Sequence, residues 1–218
     1  MKITIVYDNT SLKSNLQADW GFSCVVEAKD APRILFDAGA NGEILLSNME
    51  KLGIDPVSIE EIFISHLHWD HIGGLNEFLK ANPKVKKIYL PSSMGLEKEI
   101  VLKKPTKIHE NIFSTGELEG IEQSMGVITN LSAKTLKRKG VVLIVGCSHP
   151  YMGTILDTAR RFGKIYAVIG GMHSFSEFGL FKDIELICPT HCTQHKLELK
   201  RLYPEKFIEG GAGRVIEI

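Results

Sequence analysis

The chain has 218 residues, 26 Lys and Arg against 26 Asp and Glu, and 44% hydrophobic residues. That supplies a sizeable core and excludes a disordered chain, and the zero net charge excludes a global field that would draw nucleic acid or an acidic membrane. The first residues alternate as a strand rather than forming an export signal, and no apolar run reaches membrane-helix length. The expectation is a cytoplasmic protein whose four cysteines, Cys24, Cys147, Cys188 and Cys192, stay reduced.

In chain order, residues 3–7 read as a strand turned by Asp8-Asn9. Residues 23–28 and 33–36 read as two more strands, the second ended by Asp37-Ala38-Gly39. Ile44, Leu45, Met49 and Leu52 have helical spacing, which predicts a helix over 42–52 capped by Gly53. The apolar run Ile62-Phe63-Ile64 predicts a buried strand, and 75–81 a helix. Between them lies S-H-L-H-W-D-H-I-G-G. A strand follows at 87–90, then 92–105 reads as loop with a short helical piece.

Short strands are expected at 106–109, 112–114 and 126–130, the last followed by a basic turn around Lys134, Lys137, Arg138 and Lys139. That group, like Lys84, Lys86 and Lys87, reads as a solvated face. The apolar run 141–145 is a buried strand ended by G-C-S-H-P. A helix at 154–162, a strand at 165–169 ended by Gly170-Gly171, a short helix at 177–183 and a strand at 186–188 stopped by Pro189 follow. A helix at 194–202 and closing strands at 206–209 and 214–218 complete the chain. Strands followed by alternating strand and helix, twice over, fit a helix-sheet-sheet-helix sandwich of two similar halves, with 1–218 as one domain.

His66, His68, Asp70 and His71 fall within six positions of one strand-to-helix loop. In an extended segment residues two apart point the same way, so His66 and His68 can share one ion. Asp70 and His71 follow after the chain turns and can face a second. Imidazole and carboxylate suit zinc, iron or manganese better than calcium or magnesium. Three further histidines each stand just past a strand: His149, His173 and His191. Loops at one sheet edge are where a rigid scaffold holds functional groups.

The His-x-His-x-Asp-His loop with Gly-Gly behind it resembles the metallo-β-lactamase superfamily. F-D-A-G, E-Q-S, G-C-S-H-P, G-G-M-H and T-H-C-T are similar to a branch of metal-dependent hydrolases, some called ribofuranosylaminobenzene 5'-phosphate synthase-like. The resemblance implies an α/β fold, a four-layer αββα sandwich. It implies that His66, His68 and His149 hold one ion, that Asp70, His71 and His191 hold the other, and that Asp37 stands behind them, hydrogen-bonded to the ligand loop. The chain departs from the pattern where a bridging Asp is usual: Gly170-Gly171-Met172-His173 stands there. His173 is therefore expected to point into the pocket, near the second ion or the substrate, with the two glycines as a pliable turn.

Cys147 and Cys192 are open to two readings, soft ligands or, for Cys147, a small core residue. Glu122, Gln123, Asp8 and Asn9 could reach the site or face water, and His109 and His195 read as structural or exposed. The function implied is a metal-dependent hydrolase, with a metal-bound hydroxide as nucleophile and Asp70 and His173 as catalytic groups. The substrate is a small-molecule ester, phosphoester, thioester, lactone or amide, and the cofactor one or two zinc ions, with iron or manganese as substitutes. No nucleic acid or membrane partner is expected. The alternatives are an iron-dependent redox enzyme on the same fold and a non-catalytic metal-binding protein.

Overall fold

The computed structural model describes residues 1–133 and 136–218, with side chains outside 131–138. Its first strands are β1 (Lys2–Tyr7), β2 (Ser23–Glu27), β3 (Ile34–Phe36), β4 (Glu61–Phe63), β5 (Lys87–Leu90) and β6 (Glu99–Val101). Then come β7 (Thr106–His109), β8 (Ile112–Ser114), β9 (Met125–Ala133), β10 (Leu136–Val145), β11 (Ile165–Gly171), β12 (Leu186–Thr190) and β13 (Val215–Glu217). The helices are α1 (Gly42–Lys51), α2 (Trp69–Ile72), α3 (Leu75–Ala81), α4 (Met152–Arg160) and α5 (Lys196–Leu202).

One sheet runs β13-β1-β2-β3-β4-β5-β6 and the other β12-β11-β10-β9-β8-β7. Each begins as an antiparallel meander and continues in parallel strands: β3, β4, β5 and β6 in the first, β10, β11 and β12 in the second. Strand alternation sorts the apolar residues into three layers. Ile34, Phe36, Phe63, Val142, Ile144 and Ile169 meet between the sheets. Leu35, Ile62 and Ile64 turn the other way, onto Leu45, Met49 and Phe78 of α1 and α3. Val141, Leu143 and Val145 do the same under Ile155, Leu156 and Leu199 of α4 and α5. The result is the αββα sandwich.

Several elements differ from expectation. Residues 99–101 are a strand, not helix or loop; paired parallel to β5, they complete the sheet edge. Pro189 does not stop β12 but pairs with Gly170 inside it. As β12 is an edge strand, the missing N–H faces no neighbour. Residues 206–209 form only a bridge from Phe207 to Ile187. The expected basic turn is a β9-β10 hairpin; Lys134 lies outside the described residues, and so do the side chains of Lys137 and Arg138. Helix α1 starts where Asn41 accepts hydrogen bonds from the backbone N–H groups of Glu43 and Ile44, and ends before Gly53 at φ 71°.

Candidate metal centre

The C-terminal ends of β1, β3, β4, β10, β11 and β12 gather at one edge of the sandwich, where open α/β sheets bind ligands. Each chain exit is sharp. Asp37, Ser148, His173 and His191 have φ of 55°, 59°, 44° and 45°, a left-handed conformation uncommon for residues with a Cβ. The turn throws each side chain back over the strand end.

His66, His68 and His149 bring ligand nitrogens within 4.8 Å of one another, and a carboxylate oxygen of Asp70 and ring nitrogens of His71 and His191 converge in the same way. The rings of His66 and His149 are 4.7 Å apart, with their Nε2 atoms at 3.2 Å. His191 Nε2 stands 3.2 Å from Asp70 Oδ2. The second triad is buried, whereas His68 is exposed and His149 half-buried, so the pocket opens on the first triad. Asp70 and His71 belong to α2, a single turn of helix within the expected strand-to-helix loop.

Behind the ligands, other side chains fix which nitrogen faces the pocket. Asp37, fully buried, accepts from Ser65 N at 2.7 Å, Ser65 Oγ at 2.7 Å and His71 Nδ1 at 2.7 Å. With its hydroxyl proton given to Asp37, Ser65 Oγ accepts from His66 Nδ1 at 2.9 Å. Asn9 Oδ1 accepts from His191 Nδ1 at 2.8 Å, and Asp8 Oδ1 accepts from the His191 backbone N–H at 3.0 Å. His66, His71 and His191 are thus held with Nε2 carrying its lone pair inward, the outer-shell pattern that orients metal ligands. Trp20, which the sequence reading passed over, donates from Nε1 to Asp70 Oδ2 at 3.0 Å.

Glu122 has a larger role than the sequence suggested. Its buried carboxylate accepts the backbone N–H groups of Gly146, Cys147 and Ser148 on Oε1 and of His149 on Oε2, all at 2.8–3.1 Å. One side chain therefore shapes the whole G-C-S-H-P turn. Gln123 supports the other loop, donating from Nε2 to Ile64 O at 2.9 Å. Among the remaining histidines, His109 pairs with Glu61 and His195 lies near Glu198, in neither triad.

Electrostatics prepare the ligands. Burial, reinforced by the charges of neighbouring imidazoles, holds His66 far below the usual imidazole range and His149 at about 4. Both are neutral at pH 7 with lone pairs free. Burial opposes a charge on His71, but Asp37, Asp70 and Glu122 together outweigh it and push that pKa up. Burial also opposes ionisation of Asp70, yet His191 and His71 beside it hold its carboxyl well below the usual carboxylate range. The buried Nε2 of His191 has no hydrogen-bond partner, although a carboxylate oxygen faces it. With the His191 Nδ1 proton donated to Asn9, His191 Nε2 and Asp70 Oδ2 can both bind one cation, so the donor set fits a metal ion.

His173 reaches the pocket beside the first triad, its ring 4.8 Å from that of His149 and its buried Nδ1 without a partner. The glycines before it are not a pliable turn. Both belong to β11, and a Cβ on Gly170 would lie 1.9 Å from Val145 O. They are glycines because two strands approach too closely for a side chain. Cys147 and Cys192 are buried in the pocket wall; Cys147 Sγ is 3.2 Å from His71 Nε2. The contact with Cys192 and burial push the pKa of the Cys147 thiol up.

Fold and donor set together define an αββα protein with a candidate metal site. Residues 21–126 match the model of the metallo-beta-lactamase superfamily. It is similar to 7,8-dihydropterin-6-methyl-4-(beta-D-ribofuranosyl)-aminobenzene-5'-phosphate synthase of Methanocaldococcus jannaschii, 27% identical over 98% of this chain and 95% of that one. Among solved structures it resembles the metallo-beta-lactamase fold protein YhfI of Bacillus subtilis, with a TM-score of 0.67 at 13% identity over 100% and 98% of the two chains. It also resembles the short form of human tRNase Z, with a TM-score of 0.64 at 16% identity over 100% and 99%. The matched segment contains the His66 to His71 loop but neither His149 nor His191, whose place at the site rests on the geometry above.

Proposed function

We propose that this chain is a metal-dependent hydrolase of a small-molecule ester, phosphoester, thioester, lactone or amide, with zinc as the ion. The observation that carries the reading is the pair of triads whose lone pairs converge on one pocket open at His68. Three imidazoles, or two with a carboxylate, leave room on each ion for a water or substrate, the mark of a catalytic rather than a structural zinc site. An ion held there lowers the pKa of a bound water to about 7 and polarises a carbonyl or phosphoryl oxygen. Asp70 would bind the ion of the second triad and orient the nucleophile. His173, at the rim beside His149, is placed to pass a proton to the leaving group.

The test pairs metal analysis with a substrate panel covering the five bond types. The zinc-loaded protein should hydrolyse at least one class, and His66→Ala/His68→Ala should lose both that activity and the metal of the first triad. Unchanged metal content in that variant would refute the reading. A second reading, that the chain acts as a synthase, is favoured by the similarity running along almost the whole of both chains to the archaeal relative. Formation of that relative's named product, followed by mass, distinguishes the two.

A further inference from the structure

The resemblance implies a carboxylate between the two ions where Gly170-Gly171-Met172-His173 stands, and in that stretch Gly171 is the position that abuts both pocket cysteines. No side chain can rise from that position. A Cβ on Gly171 would lie 2.3 Å from Gly146 O, 2.8 Å from Cys192 Sγ and 3.2 Å from Cys147 Cα. The space is filled by the G-C-S turn and the two thiols. Two cations held close together repel, so something anionic has to stand between them.

Cys147 is the group that reaches both triads. Its Sγ lies within 4.8 Å of ligand nitrogens of His66 and His71, of His149 and His173, and of His191. Those are two members of the first triad and two of the second. The sulfur does not float: its backbone N–H is held on Glu122 Oε1 at 3.0 Å, and the residue is 2% exposed. A structural core cysteine has apolar neighbours, whereas this one is ringed by imidazoles with lone pairs turned inward.

We infer that Cys147 supplies the bridging ligand, as a thiolate shared between the two ions, in place of the carboxylate that Gly171 excludes. On binding, the S–H bond breaks, the proton leaves to bulk water and sulfur lone pairs bind the ions; no electrons change hands. Cys192 stands behind Cys147 as a neighbouring thiol, its Sγ 3.8 Å from Cys147 O. The inference rests on the metal reading above but is independent of the substrate.

Cobalt(II) titration of the metal-stripped full chain separates the two. Visible ligand-field bands report metal in the pocket, and an intense near-ultraviolet sulfur-to-cobalt charge-transfer band reports thiolate ligation. The native chain should show both and bind two ions. Cys147→Ser should keep the visible bands, lose the near-ultraviolet band and bind the second ion about tenfold or more weakly. Cys147→Asp should recover two-ion binding without the charge-transfer band, and Cys192→Ser should retain that band. Thermal melts check that each variant is folded. Visible bands with no charge-transfer band in the native chain overturn the inference and leave the metal reading standing. Persistence of the band in Cys147→Ser, or its loss only in Cys192→Ser, also overturns it. No cobalt bands at all would fell the metal reading and this inference together.

Discussion

At the scale of single residues, the site depends on which ring nitrogen carries a proton. Asp37 accepts from His71 Nδ1 and, through Ser65, governs His66. In Asp37→Asn the amide oxygen can still take Ser65 N–H, but the NH₂ group then faces His71 Nδ1 and makes it an acceptor. The proton moves to Nε2, where the ion must bind. The expected outcome is a folded protein whose metal affinity falls about 10- to 100-fold, read by competition with a chromophoric chelator. Unchanged affinity would mean that Asp37 does not set the tautomer. Much of this was legible beforehand: His66, His68, Asp70 and His71 announce themselves by density, and Asp37 by its place after a strand. The role of Trp20 was not, since an indole far from Asp70 in sequence gives no local signal of where the fold carries it, whereas Cys147, beside His149, was already open to a reading as a soft ligand.

At the scale of elements, the site is a set of strand ends and the turns that leave them. The G-C-S-H-P turn after β10 hangs on one carboxylate, Glu122, through four backbone N–H groups. Glu122→Gln replaces an acceptor oxygen by a donor in a fully buried position and leaves at least one N–H facing an N–H. Hydrogen bonds to charged groups contribute about 1.5–3 kcal/mol each, so the variant should lose roughly 2–4 kcal/mol by denaturant titration. Amides 146–149 should exchange faster than those of β10 itself; a loss of stability with no local change at those amides would contradict the assignment. Periodicity found α1, α3 and α4 because each has an apolar stripe against a sheet. It missed the strand nature of 99–101, where Ile100 and Val101 are exposed and pairing rather than burial defines the element. It missed α2 because a single turn is too short to show a period.

At the scale of the whole molecule, the two halves meet at the pocket. His66 and His68 lie in the first half and need His149 from the second; Asp70 and His71 need His191. An ion held by such a set favours the folded state by mass action, by about 2.7 kcal/mol at a hundredfold excess over its Kd. Stripping the metal should therefore lower Tm by several degrees, and zinc should restore it; an unchanged Tm would show that the ion does not span the halves. Neither triad is complete in the first half of the chain alone. A growing polypeptide that has extended past His71 carries four of the six ligands yet closes no site. The coordination set works as a logical conjunction, satisfied only when both sheets have docked. Nascent chains would compete poorly for scarce metal, and acquisition of the ion would mark the last step of maturation rather than the first.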